Sequence, residues 1–235
     1  MIGVLGGMGP LATVDFFNKV LLATPAKGDA DHVPLLIQSD PRIPARPAAI
    51  LNSGRSPLPE LLTARDRLIA AGATALAMPC NTAHFWYADL ARGCSVPFIS
   101  IVNASIAELG KLAMPGASIG IIATRATLTA KIFDAPLQLA GYICLLPSDD
   151  MMDTLVLPGI ESVKAGQAAQ GGQLIEQAVQ ALMSHGAIAV LLACTETPLA
   201  LDAIHSPERV RCVDTTAALA RACVAWWQAE KAATA

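Results

Sequence analysis

The stretch Ala71-Gly72-Ala73-Thr74-Ala75-Leu76-Ala77-Met78-Pro79-Cys80 recurs later in the chain as His185-Gly186-Ala187-Ile188-Ala189-Val190-Leu191-Leu192-Ala193-Cys194, at an offset of 114 residues. The same offset carries Leu68 onto Leu182 in the preceding helical pattern and Val96 onto Val210 in the following apolar run. Near the start, Ile2-Gly3-Val4-Leu5 matches Ile119-Gly120-Ile121-Ile122 at an offset of 117. A single apolar match arises by chance among buried strands. Four matches in one order and at nearly constant spacing read as two copies of one unit.

Each copy alternates short apolar runs with longer helical patterns, the signature of an α/β fold with mainly parallel sheets. Strands are expected at 2–5, 34–38, 75–78, 98–101, 118–123, 187–192 and 211–213. Helices are expected over 58–71 and 172–184, with a further helical pattern clearest in 83–92. The expected architecture is two similar α/β lobes related by a pseudo-twofold internal repeat, 1–104 plus 210–235 forming the first and 105–209 the second. Ligands of open α/β sheets sit beyond the carboxyl ends of the strands. Two facing lobes would therefore hold Cys80 and Cys194 across one cleft.

Composition agrees with this architecture and removes several functions. Of 235 residues, 54% are hydrophobic but only 4% aromatic, so Ala, Leu, Ile and Val must build the core, as suits helices on buried parallel strands. The net charge is −3, with no run of Lys or Arg, which argues against a nucleic-acid or membrane-surface partner. The longest apolar runs fall short of the roughly 18 residues that a membrane helix needs. The N-terminus lacks the basic start and apolar core of a signal peptide, and the expected location is cytoplasmic. Six cysteines occur without any C-x-x-C spacing, so neither a disulfide framework nor a zinc site is expected.

Cys80 and Cys194 each follow an apolar strand, and polar residues follow each of them: Asn81-Thr82, and Thr195-Glu196-Thr197. A thiol just before a helix N-terminus feels the positive end of the helix dipole, which lowers its pKa toward a usable base. Cys94, Cys144, Cys212 and Cys223 lack a recurring context and read as small buried hydrophobes. Two opposed thiols suit the inversion of a stereocentre: one thiolate removes a proton from one face, and one thiol delivers a proton to the other. The carbanion formed on the way needs hydrogen-bond donors. The backbone around Met8-Gly9 and the side chains of Asn81, Thr82, Thr124 and Thr195 are suitable. His84, four residues after Cys80, is read as a packing residue, and Glu196 as a supporting residue beside the second thiol.

Several motifs together resemble the aspartate/glutamate racemase superfamily, and most closely its aspartate racemase branch. They are Leu5-Gly6-Gly7-Met8-Gly9-Pro10-Leu11-Ala12-Thr13, Met78-Pro79-Cys80-Asn81-Thr82-Ala83-His84, Cys194-Thr195-Glu196 with Pro198-Leu199, and Asp214-Thr215-Thr216. The resemblance covers nearly the whole chain. It implies racemisation of an acidic amino acid by a thiol pair, without PLP or metal, in a homodimer. It also implies a substrate-binding arginine in Asp40–Arg46, with Arg46 the better match and Arg42 the reserve, and a lysine at Lys164. In glutamate racemases Thr-His typically follows the second cysteine; here Thr195-Glu196 does, which favours the aspartate branch, with a glutamate or broader-range racemase as the alternative. Ala193 replaces a glycine often seen before that cysteine. Maleate isomerases share the two cysteines and arylmalonate decarboxylases use one, so the superfamily alone does not fix the reaction.

Two other motifs weigh against this reading less than they first suggest. Gly7-Met8-Gly9-Pro10-Leu11-Ala12 fits the dinucleotide pattern G-x-G-x-x-A. The required acidic residue is misplaced, however: Asp29 and Asp31 precede the second strand, and Asp40 comes late. Gly116-Ala117-Ser118-Ile119-Gly120 fits G-x-S-x-G, but a strand is expected after the serine rather than before it. A nucleotide-dependent oxidoreductase is the weaker alternative, and a silent amino-acid-binding protein is another from a different class. Loss of one cysteine would mark it, and both are present. The stretches 40–59 and 166–172, rich in Pro, Arg or Gly, are expected to be mobile loops.

Overall fold

A computed structural model describes residues 1–51 and 54–233. Its contacts divide the chain into two compact units, Met1–Ala104 with Thr216–Ala235, and Ser105–Thr215.

The first unit is built on a four-stranded parallel sheet of β1 (Ile2–Gly6), β2 (Leu35–Ser39), β3 (Ala75–Ala77) and β4 (Phe98–Ile99), in the order β2-β1-β3-β4. Every residue of β1 and β3 is buried, as expected for central strands of a covered parallel sheet. The helix Leu58–Ala70 buries Leu61, Ala64 and Leu68 on one stripe. The helix Pro10–Ala23 starts at a proline, whose missing N–H would be unsatisfied at that position anyway.

The second unit repeats the arrangement with β5 (Ser118–Ile122), β6 (Ile143–Leu145), β7 (Ala189–Leu192) and β8 (Cys212–Asp214), all parallel and in the order β6-β5-β7-β8. The helix Ala168–Ser184 packs Ile175, Ala178, Val179 and Leu182 into the core around β7. Its C-terminus shows what the sequence repeat encodes. Gly186 takes φ +98°, and the Ala187 N–H donates to Leu182 O at 3.1 Å. In the first unit Gly72 takes φ +96°, and the Ala73 N–H donates to Leu68 O at 3.0 Å. Both are glycine-terminated caps that satisfy a last-turn carbonyl and aim the chain into the central strand.

Gly3 and Gly120 serve a second shared need. A Cβ at Gly3 would lie 3.1 Å from Leu68 Cβ, and one at Gly120 would lie 3.2 Å from Leu182 Cβ. The leucine of each helix thus rests directly on the backbone of the first strand. Truncating a buried leucine of this kind costs about 2–5 kcal/mol.

Three expectations are corrected. β8, at the start of the stretch 210–235, pairs with β7 through Leu191↔Val213, so the first unit resumes at Thr216 and not at 210. The apolar run there extends the second sheet just as β4 extends the first. The strand β6 went unread because it has three residues, with Ile143 exposed, and so carries no buried apolar run. The expected loop 166–172 is helical from Ala168 onward, and Arg46–Ile50 forms a short helix inside 40–59. Residues 52 and 53 of the latter stretch lie outside the described residues. Among the described residues no helix is long and apolar enough to cross a membrane.

Candidate active site

In the first unit β3 leads through Met78 and Pro79 to Cys80, which is buried. A 3-10 turn, Thr82–Trp86, and the helix Tyr87–Ala91 follow in place of the single helix expected over 83–92. Asn81 and Thr82 are buried beside the thiol, and Asn81 makes no side-chain cap. His84 fixes the turn. Its Nε2 accepts the Ile101 N–H at 3.2 Å, so Nδ1 carries the ring proton and donates to Cys80 O at 2.9 Å. The ring stacks on Tyr87 with an interplanar angle of 7°. Burial drives the His84 pKa down to about 4, so the imidazole is neutral at working pH.

Met8 and Ile43 share one apolar cluster with Cys80. The turn carrying Met8 is held by Thr13: the Gly7 N–H donates to Thr13 Oγ1 at 2.8 Å, and that hydroxyl donates to Gly9 O at 3.1 Å. Gly7 has φ +89°, and a Cβ there would lie 2.3 Å from Asp40 N. The turn thus presses against the start of the arginine-bearing segment.

The two arginines of that segment differ sharply. Arg42 is spent on Asp40, donating from Nε and Nη2 at 2.9 and 3.0 Å in an exposed pair that also holds the Asp40 carboxyl below its usual range. Arg46 is half-buried. Its Nη1 donates to the carbonyls of Ile43 and Pro44, both at 3.1 Å, while its Nε is enclosed without a hydrogen-bond partner. Its positive charge faces only neutral carbonyls in these bonds, which suits it to an incoming anion.

In the second unit β7 leads to Ala193 and Cys194, and the helix Glu196–Ala203 follows. Cys194 is buried, and its thiol donates to Glu196 Oε2 at 3.0 Å. The Thr195 hydroxyl donates to the same oxygen at 3.1 Å instead of capping the helix. Thr197 Oγ1 donates to Cys194 O at 2.8 Å, the counterpart of the His84 bond to Cys80. Burial, and then the Glu196 charge, push the Cys194 thiol pKa well above its ordinary value, while Lys164 pulls it down. The expected depression by the helix N-terminus is therefore not met at this cysteine. A carboxylate in contact and loss of water outweigh a dipole at the end of an eight-residue helix.

Lys164 ends the helix Leu157–Lys164 and is exposed. Thr124 follows β5, and its Oγ1 caps the helix Arg125–Thr129 by accepting the Thr127 N–H at 3.3 Å. The structure thus gathers Met8, Asn81 and Thr82 with Cys80 in one unit, and Thr195, Glu196 and the charge of Lys164 with Cys194 in the other. The carbonyl anchors His84 and Thr197 were not assigned that role from sequence. Their only signal was a side chain able to hydrogen-bond three or four residues after each cysteine.

Ser118 is the first residue of β5, not a residue on an elbow after a strand. Asp40 is occupied by Arg42. Among the described residues no group of three His, Cys, Asp or Glu side chains is placed to hold a metal.

A broad specificity amino-acid racemase of Bacillus subtilis (strain 168) is 28% identical over 97% of this chain and 99% of its own length. A glutamate racemase of Ectopseudomonas mendocina is 33% identical over 66% of this chain and 59% of its own length. The solved structure of an aspartate racemase from Picrophilus torridus superimposes with a TM-score of 0.83 at 29% identity, over 96% of this chain and 93% of that one. Residues 5–223 match the model of the Asp/Glu/hydantoin racemase family, and the chain belongs to that family.

Proposed function

We propose that the protein is a PLP- and metal-independent amino-acid racemase that acts on an acidic amino acid, aspartate first, by proton transfer between Cα and the pair Cys80 and Cys194. The observation that carries this reading is positional. Each cysteine is a buried thiol at the carboxyl end of the third strand of a 2-1-3-4 parallel sheet, and the sequence supplies that arrangement twice. One thiolate takes the Cα proton, and the carbanion is held by donors around Met8-Gly9, Asn81, Thr82, Thr124 and Thr195. The other thiol protonates the opposite face. Arg46, with its unspent N–H, is the group for the side-chain carboxylate, and Lys164 adds positive charge beside Cys194.

A broader substrate range is the second reading, favoured by the full-length match to a broad specificity amino-acid racemase. The test is incubation with L-aspartate in D2O, with chelator and without PLP, following Cα deuterium by NMR and D-aspartate by chiral chromatography. Deuterated D-aspartate supports the proposal. Racemisation of neutral amino acids at comparable kcat/KM supports the broader range, and no exchange with any amino acid rejects both. The homodimer implied by the resemblance has a candidate face in the helix Pro10–Ala23, which exposes Leu11, Val14, Phe17 and Leu22. Light scattering in solution tests it.

A further inference from the structure

The first unit contains a cavity of about 230 Å³ that the two-thiol scheme does not use. It is lined by Gln38 near the end of β2, by Asp40 and Ile43 on the segment that follows, and by Pro59, Glu60, Thr63 and Arg67 of the helix Leu58–Ala70. Neither Cys80 nor Arg46 lines it. Glu60, Thr63 and Arg67 stand at i, i+3 and i+7, so one helical face presents all three. Thr63 is spent on its own helix, donating to Pro59 O at 2.9 Å. The two charged residues are not spent. Glu60 Oε1 pairs with Arg55 at 2.6 Å, but Oε2 is enclosed and has no hydrogen-bond partner among the described residues. Arg67 forms no side-chain hydrogen bond or ion pair among the described residues, and its charge reaches Asp40 only through space.

An enclosed carboxylate oxygen without a donor and a guanidinium without an acceptor thus share one small cavity. They do not satisfy each other, because seven residues of helix set them about 10 Å apart along its axis. A metal ion would meet the Arg67 charge, and among the described residues no group of three His, Cys, Asp or Glu side chains is placed to hold one. An anion alone would leave Glu60 Oε2 unsatisfied beside like charge, and an apolar molecule would leave both ends unpaired. We propose that this cavity binds a free α-amino acid, whose ammonium group donates to Glu60 Oε2 and whose carboxylate accepts from the Arg67 guanidinium. Gln38 adds an amide that both donates and accepts. The volume agrees: drug-sized ligands fill pockets of roughly 300–1,000 Å³, and a single amino acid is smaller.

The cavity shares a wall with the segment that presents Arg46. Arg46 Nη1 donates to the carbonyl of Ile43 at 3.1 Å, and the Asp40 N–H donates to Gly6 O at 3.3 Å. A bound amino acid packs against Asp40 and Ile43 and steadies that segment. The site is additional to the one beside Cys80 and does not depend on the reaction there.

The test is titration calorimetry of the full chain with the common amino acids, one at a time, on the parent and on Arg67→Ala, Glu60→Gln and Arg46→Ala. At least one amino acid should bind the parent at this site, and Arg67→Ala and Glu60→Gln should each weaken that binding about 10-fold or more, as the loss of a charged hydrogen bond does. Arg46→Ala should keep it; an Arg46-dependent binding event belongs to the site beside Cys80. Arg67 is exposed and Glu60 partly so, and both variants should keep the parent's circular dichroism and Tm. The N-acetyl and amide forms of the bound amino acid each lack one charge and should bind more weakly by a similar factor. Amide exchange over residues 40–50 should slow on ligand addition in the parent and not in Arg67→Ala.

Binding lost in Arg46→Ala but kept in Arg67→Ala would overturn the site, since the amino acid would then sit only beside Cys80. An N-acetyl form that binds as tightly as the free amino acid would overturn the zwitterion and leave an anion site. No binding of any amino acid to the parent would reject the proposal outright. Racemisation is scored separately: a protein that racemises nothing can still bind here, and a racemase without this binding loses only this site.

Discussion

The Nδ1–H of His84 donates to the carbonyl of Cys80 at 2.9 Å, and the opposite ring nitrogen accepts the Ile101 N–H. Both bonds require the neutral ring, so folding excludes the proton that an unfolded histidine binds below about pH 6.5. The folded pKa is about 4. Between those values the unfolded chain holds more protons than the folded one, so stability rises as pH rises from 4 to 6.5 and levels off above. The span is worth about 3 kcal/mol at roughly 1.4 kcal/mol per unit. The urea midpoint should therefore fall on acidification through this window, and His84→Asn should flatten that part of the curve. An equally steep slope in the variant would show that other groups drive it.

Removing either thiol should stop the reaction. Cys80→Ala and Cys194→Ala each leave one face of the substrate without a proton donor or acceptor, and racemisation should fall at least about 100-fold. Both residues are small and buried, so near-native circular dichroism and a modest drop in Tm are expected. Each single variant should still exchange the Cα proton of one enantiomer with D2O. Retention of full racemisation by either would end the two-base scheme.

The contrast between Arg46 and Arg42 gives a paired test. Arg46→Ala should raise KM for aspartate much more than for alanine, because only a side-chain carboxylate uses the clamp. The loss of a buried charged hydrogen bond, about 1.5–3 kcal/mol, corresponds to roughly 10- to 150-fold in kcat/KM. Arg42 is exposed and already paired with Asp40, so Arg42→Ala should change aspartate kinetics little. Equal losses on acidic and neutral amino acids in Arg46→Ala would remove it from the side-chain pocket.

Much of the fold was legible because the repeat lies in buried strands and their caps. Leu68 and Gly72 match Leu182 and Gly186, and each of these matches answers a packing or cap requirement. β6 was not legible, since an edge strand of three partly exposed residues needs no apolar run. Arg46 and Arg42 are indistinguishable by type. Only the folded turn shows that Asp40 claims one of them. The protonation of Cys194 was misread for a similar reason. A helix start after a strand is visible in sequence, but the side chain of Glu196 turning back onto the sulfur is not. The glycines after residue 165 were read as a loop because glycine weakens helices, whereas here they permit contact.

That contact yields the last prediction. Gly172 lies in the first turns of the helix Ala168–Ser184, and a Cβ there would sit 2.4 Å from Ala200 O and 2.8 Å from Ile204 Cγ2. Alanine should favour the isolated helix by about 1 kcal/mol. The obstacle, however, is a backbone carbonyl that cannot rotate away, and relieving it means moving the helix Glu196–Ala203. Overpacking of this kind costs about 1–3 kcal/mol, so Gly172→Ala should lower Tm by several degrees despite the better propensity. Because the displaced helix begins at Glu196, the variant should also disturb the Cys194 pairing and slow Cys194-dependent exchange. Gly28→Ala, with open space at its Cβ, is the control and should leave Tm nearly unchanged. A higher Tm in Gly172→Ala would mean that the two helices do not approach this closely in solution.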